Sequence, residues 1–318
     1  MTEPEQITRD RPACLTISGS GRSGTTIISV LLSQGPAVLN IGQLRDVLAA
    51  WAANHPCTCG ETLSTCSLWG PLRQRLWPTA SAADLAEADR ALRRAMADAA
   101  RLPDWNDSAA LQALAATHRA AFDRLGDMLR GLVEISGARL LVDSSKSPEF
   151  ALACHLSGAV DLHVLNLVRD PRAVACSWAR KKPGRLGPRL AAWGQRQRRI
   201  ARWKETAFVH HRMLSYEDFV ASPQGALRSV LDWLARPMPP DLFTGPHSAR
   251  VSWADQHLFP PSNEKVLAER RTDVVVSAPT DWRAARNWPL HLRALLHSFP
   301  QGPARVLGLD RSDRRLRP

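Results

Sequence analysis

The 318-residue sequence has no apolar run approaching the ~20 residues that a membrane-spanning helix needs. Its longest candidate, from Leu15 to Leu32, is broken by Gly19, Gly21, Arg22 and Gly24. Glu3 and Glu5 precede any apolar stretch, unlike the basic start of a secretory leader, so a soluble cytoplasmic chain is expected. Lysine is scarce, with only Lys146, Lys181, Lys182, Lys204 and Lys265 beside the many arginines that make up the 42 basic residues. Such skew reads first as composition and solvated surface charge, and the net +12 leaves a mild bias toward anionic partners. No internal repeat is visible. With 44% hydrophobic and 23% charged residues, collagen-like, coiled-coil and disordered chains are excluded. The length suffices for one α/β domain that needs neither disulfides nor metals to be stable.

Hydrophobic patterning predicts a strand from Ala13 to Ser18, a glycine-bearing turn, and a helix from Thr25 to Ser33 that buries Ile27, Ile28, Leu31 and Leu32. A second strand, Arg139 to Val142, ends at Asp143-Ser144-Ser145-Lys146 and leads to a helix opening at Pro148. A third, Leu162 to Val168, ends at Arg169, after which Asp170 is placed to cap a helix opening at Pro171. A fourth, Phe208 to Leu214, precedes Tyr216-Glu217-Asp218-Phe219 and a helix from Ser222 to Leu234. Strands alternating with helices predict an α/β fold with a central, mainly parallel sheet flanked by helices. The Ala-rich stretches Ala80 to Leu102 and Ser108 to Ile135 predict an antiparallel helix pair, an insertion over about residues 80–135. Residues 1–310 are expected to form one domain, and residues 311–318 a flexible basic tail.

The strongest chemistry lies in Gly19-Ser20-Gly21-Arg22-Ser23-Gly24-Thr25-Thr26. Glycines let this turn fold around an anion so that backbone N–H groups and the next helix N-terminus point at a phosphate, while Thr25 and Thr26 add hydroxyls. A Walker loop would place Lys directly after the last glycine, where this chain has Thr25. Arg169 at a strand end and Ser177 two turns into the following helix are spaced to face one doubly charged group.

Ser18 to Thr26 resembles the 5′-phosphosulfate loop of sulfotransferases that use 3′-phosphoadenosine 5′-phosphosulfate (PAPS). Leu167-Val168-Arg169-Asp170-Pro171 through Ser177-Trp178 resembles the same family's 3′-phosphate motif, which implies Arg169 and Ser177 as its grip. Asp143-Ser144-Ser145-Lys146 and Tyr216-Glu217-Asp218-Phe219 resemble segments of bacterial members. His257, Asn263, Arg270-Arg271-Thr272 and Asp281-Trp282-Arg283 resemble, in part, a late cofactor-binding segment.

The resemblance implies that Gly21, Arg22, Ser23, Gly24, Thr25, Thr26, Arg169, Ser177, Arg270 and Arg271 bind PAPS. It further implies sulfuryl transfer to a carbohydrate or small-molecule hydroxyl, with Arg22 and Lys146 supplying positive charge and no catalytic metal. Relatives often carry Glu where this chain has Gln43, which leaves Asp143, Asp46 and His257 as candidates for the proton acceptor.

Cys57, Cys59 and Cys66, with His55 just before them, form a cluster whose spacing suits a zinc knuckle, a local disulfide or packed free thiols. The basic stretch from Arg180 to Arg202 carries Trp193 and Trp203; it reads as an amphipathic helix with its tryptophans inward, rather than as a nucleic-acid surface. Competing readings are a nucleotide-dependent small-molecule kinase and a non-catalytic nucleic-acid-binding protein. The sequence leaves the acceptor and the oligomeric state open.

Overall fold

The computed structural model describes residues 11–181, 186–260, 268–277 and 280–298. Asn263, the 311–318 tail and part of the basic stretch, residues 182–185, lie outside the described residues.

Five parallel strands form the central sheet: β1 (Ala13–Gly19), β2 (Val38–Gly42), β3 (Leu140–Lys146), β4 (Asp161–Val168) and β5 (His210–Ser215), in the order β2-β3-β1-β4-β5. β1 sits in the middle because both of its faces are apolar. Cys14 joins Leu141, Leu162 and Val164 in one core, while Leu15 and Ile17 join Val142, Leu165 and Leu167 in the other. A strand buried on both sides needs such a continuous apolar run.

The second core is covered by α1 (Thr25–Leu32), α10 (Tyr216–Ala221) and α11 (Pro223–Trp233). The first is covered by α2 (Val47–Ala52), α3 (Trp69–Leu76), α4 (Ala82–Arg101), α5 (Ser108–Thr117), α6 (Arg119–Ser136) and α7 (Pro148–Leu156). α8 (Pro171–Lys181), α9 (Leu186–Ala201) and α12 (Trp288–Ser298) pack together near the carboxyl ends of β1 and β4. A small antiparallel sheet of β6 (Phe243–Gly245), β7 (Ser248–Arg250) and β8 (Asp273–Val275) closes the late part of the chain.

The predicted strands are present, and three features differ. β2 was not predicted. Its central Asn40 is fully buried and bonds Gln256 at 3.1 Å through Nδ2, so a distant residue satisfies the one polar side chain of an otherwise apolar strand. The stretch from Ser108 to Ile135 is two helices rather than one, broken at His118, whose Nε2 bonds Asp98 of α4 at 2.8 Å. The late antiparallel sheet was also missed, because its strands have only three residues each.

Leu190, Trp193 and Ile200 of α9 are buried, as is Trp203 in the short turn that follows. These tryptophans therefore pack in the interior and present no face to a nucleobase. Among the described residues, no helix is long and apolar enough to cross a membrane.

Candidate active site

The carboxyl ends of β1, β3 and β4 bring the sequence motifs to one edge of the sheet. In an open α/β sheet this is the edge where ligands bind. Between β1 and α1 the turn takes left-handed backbone conformations at Arg22 (φ 76°) and Gly24 (φ 87°). They curl the chain tightly between β1 and α1. Gly24 is required there: a Cβ would lie 2.5 Å from the Tyr216 ring. Gly21 is similarly pressed, with a Cβ falling 2.8 Å from Trp178 of α8. Ser20 and Ser23 tie the turn internally through a 2.9 Å hydroxyl contact.

Arg22 Nε donates to Ser177 Oγ at 2.9 Å, joining residues 155 positions apart. Arg169 Nη1 donates to the Arg22 carbonyl at 2.7 Å, and its guanidinium lies 4.4 Å from the centre of the Tyr216 ring. Tyr216 is held in turn by its hydroxyl, which donates to the Ser277 carbonyl at 3.2 Å. Asp170 is not the partner of Arg169. Its carboxylate accepts the Arg172 N–H at 2.8 Å, capping α8, and also takes the Arg172 guanidinium at 2.7 Å. Among the described residues the buried Arg169 Nε has no hydrogen-bond partner.

Further cations line the same edge. Lys146 ends β3 in a left-handed conformation (φ 62°), with its ammonium donating to the Ser144 carbonyl at 3.0 Å. Arg196 of α9 approaches the Gly19 carbonyl at 3.5 Å. Among the described residues, none of Arg22, Arg169, Lys146 and Arg196 forms an ion pair. Burial lowers Arg22, and the positive charges of Arg169 and then Arg180 lower it further. Arg196 is lowered by burial and then by Arg45. Lys146 is brought down to about 8, chiefly by burial, with Asp143 opposing. Like charges held together without direct ion pairs among the described residues form a site that an anion would help to neutralise.

Asp143, a candidate proton acceptor, is fully buried with both oxygens engaged. Oδ1 accepts from Ser145 Oγ at 2.5 Å and Leu44 N at 3.2 Å, and Oδ2 accepts from Ser145 N at 3.1 Å. Burial raises it to about 6 despite these bonds. It holds the turn after β2, which contains the buried Gln43, against the end of β3. Asp46 is paired with Arg45 and Arg93, both at 3.1 Å.

The late segment departs further from expectation. His257 turns its Nδ1 toward Cys66 and Cys57, at 3.2 and 3.9 Å, so its ring belongs to the cysteine cluster. Arg270 donates to the Thr58 carbonyl at 2.8 Å, and Arg271 is exposed and paired with Glu269 at 2.9 Å. Among the described residues neither arginine touches Arg22 or Arg169.

Tyr216 and Arg196 were missed as site residues. Tyr216 is the chain's single tyrosine, in a motif noted only for its resemblance. Arg196 lies three residues after Trp193 and four before Ile200, so helical phase places it on the inward face of α9.

A strand, a glycine turn carrying Arg22 and a helix, with Arg169 at the end of the neighbouring strand, define the candidate site of an α/β protein. Residues 14–240 match the sulfotransferase family model, and the chain belongs to that family as a sulfotransferase enzyme. Among solved structures it is similar to a sulfotransferase domain from the Synechococcus PCC 7002 olefin synthase, with 16% identity over 93% of this chain and 97% of that one, at a TM-score of 0.46. A sulfotransferase domain from the curacin biosynthetic pathway shares 17% identity over 89% of this chain and 97% of that one, at a TM-score of 0.40. No curated protein matches the chain.

Proposed function

We propose that this enzyme moves a sulfuryl group from PAPS to a hydroxyl of a carbohydrate or small-molecule acceptor, leaving 3′-phosphoadenosine 5′-phosphate. The observation that carries this reading is the pair Arg22 and Arg169, a half-buried and a buried guanidinium held together by the Arg169 bond to the Arg22 backbone carbonyl, with neither in an ion pair among the described residues. The orphaned Arg169 Nε, a buried donor at the carboxyl edge of the sheet, fits a phosphate-like ligand group. When bound, PAPS supplies an activated sulfonate whose bond to phosphate breaks during transfer.

The N–H groups of the 20–26 turn, with Ser23, Thr25 and Thr26, hold the 5′ end, and Arg169 with Ser177 holds the 3′-phosphate. Arg22 and Lys146 meet the charge that builds as the sulfonate leaves its phosphate. Asp143 acts as a positioning residue, because its lone pairs already serve Ser145 and Leu44. The acceptor hydroxyl becomes strongly acidic once its oxygen bonds sulfur, and its proton passes to water.

The direct test is thermal. At ligand concentrations about 100 times Kd, 3′-phosphoadenosine 5′-phosphate is expected to add about 2.7 kcal/mol of stability. ADP and ATP at the same concentration should add far less, since they lack the group that Arg169 and Ser177 hold. Equal melting shifts for all three would remove the 3′-phosphate assignment.

A pH profile tests Lys146 separately. In the free enzyme its ammonium titrates at about 8, so kcat/KM is expected to fall on the alkaline side with a midpoint near there. A bound anion favours the charged form, so the corresponding limb in kcat should lie at higher pH. Lys146→Arg keeps its charge throughout this range and should abolish the limb; an unchanged limb in that variant would assign the titration elsewhere.

A further inference from the structure

Away from the anion site, three cysteines and one histidine converge at the start of the α3 region. Cys57, Cys59 and Cys66 come from a single loop, and His257 arrives from a segment 200 residues beyond Cys57. Their four potential ligand atoms all lie within 4.8 Å of one another. His55, adjacent in sequence, is not a member of the group; its carbonyl accepts the Leu63 N–H at 2.9 Å within the loop. We propose that Cys57, Cys59, Cys66 and His257 bind one structural zinc ion.

The separations suit that ion. Zinc bonds of about 2.3 Å to sulfur and about 2.0 Å to nitrogen, at tetrahedral angles, put sulfurs about 3.8 Å apart and sulfur and nitrogen about 3.5 Å apart. Cys57 and Cys66 have their sulfurs 3.7 Å apart, and His257 Nδ1 lies 3.2 and 3.9 Å from those two sulfurs. A closed structural site also requires four protein ligands and no open position, and this group supplies four.

The surroundings are those of a thiolate centre. The N–H of Cys59 points at the Cys57 sulfur, and the N–H groups of Leu68 and Trp69 point at the Cys66 sulfur. Such bonds stabilise negative sulfur and fix its direction, as outer-shell groups do at metal sites.

Cys66 is fully buried against Trp69, whose indole nitrogen donates to the His257 carbonyl at 2.6 Å and whose ring meets Phe259 edge-on at 5.4 Å. Arg270 donates to the carbonyl of Thr58, between two of the cysteines, and offsets the single net negative charge of three thiolates around Zn²⁺. Binding releases the thiol protons to solvent.

The ion would fasten the late segment to the body of the protein. Gln256, next to His257, bonds Asn40 of β2, and the Leu258 N–H donates to Thr58 Oγ1 at 2.9 Å. Zinc therefore ties together the loop, the late segment and the strand leading to Gln43 and the turn that Asp143 holds. It plays no part in transfer, and the proposal is independent of the donor assigned above.

The test uses the full chain, grown with added zinc and purified under reducing conditions without chelators. Elemental analysis should find about one zinc per chain. After exchange with Co²⁺, the absorption spectrum should show tetrahedral d–d bands and thiolate-to-cobalt charge transfer. Cys66→Ser should lose most of the metal. Because that variant removes a buried packing group, His257→Cys provides the second arm: it keeps four ligands, so it should retain zinc and strengthen the charge-transfer band. Folded wild-type protein that carries no zinc and gives no thiolate–cobalt band would overturn the proposal, as would a Cys57–Cys66 disulfide found by mass spectrometry in the isolated protein.

Discussion

Arg169→Ala is expected to weaken binding of 3′-phosphoadenosine 5′-phosphate by about 2 to 5 kcal/mol, roughly 30- to several-thousand-fold. Arg169 is only 8% exposed, so a phosphate meeting it is largely removed from water, where a charge pair is strongest. Without a ligand the sign differs. Arg169 is a buried cation beside another, and its charge helps to lower Arg22. Removing it relieves that repulsion while losing one hydrogen bond to the Arg22 carbonyl and the contact with Tyr216. Those losses are each worth about 1 kcal/mol. The melting temperature of the free protein should therefore change by only a few degrees, and the ligand-induced increase should nearly vanish. Calorimetric titration and melting curves on one preparation separate the two effects. A large fall in the free protein's stability with binding intact would make Arg169 a structural residue.

The parts of the site that were legible in the sequence are those written in consecutive residues. Ala13 to Leu32 carries strand, turn and helix in one stretch, with Gly24 marking a turn that a side chain would obstruct. Arg169 and Ser177 were legible because a strand end followed by a capped helix fixes their relative positions. The cation-rich character of the site was only half visible. Arg196 looked like one of many surface arginines until the buried face of α9 was established, and Tyr216 had no chemical signature of its own.

What remained hidden is made by contacts across the chain. Asn40 can be buried at the centre of the short strand Val38–Gly42 because Gln256, far along the chain, meets its amide. His118 divides α5 from α6 without proline or glycine, through its bond to Asp98. His257 looked like a candidate base because its sequence neighbourhood resembled a cofactor segment, but packing turned it toward the cysteines. Local pattern specifies elements and turns; it does not specify which residues 200 positions apart will meet.

Arg22→Ala should lower kcat about 10²- to 10³-fold, the loss typical of removing one preorganised donor to developing charge. Binding of 3′-phosphoadenosine 5′-phosphate should change much less, because the turn's N–H groups remain. The geometry supports this division. Among the described residues the Arg22 side chain is fixed by one bond, from Nε to Ser177, which leaves the outer nitrogens of the guanidinium free of protein acceptors. Alanine keeps the Cβ, so the cost of the left-handed backbone at residue 22 is unchanged and the turn has no new freedom. Ser177→Ala provides the control for the lost anchor: it should reduce kcat less than Arg22→Ala, because the cation remains but is held less firmly. Arg22→Lys should recover part of the loss, since charge returns without the planar fork. Single-turnover measurements at saturating donor read the transfer step itself. If the whole effect of Arg22→Ala falls on KM, Arg22 binds ground state and transition state alike and its place in the transfer step is lost.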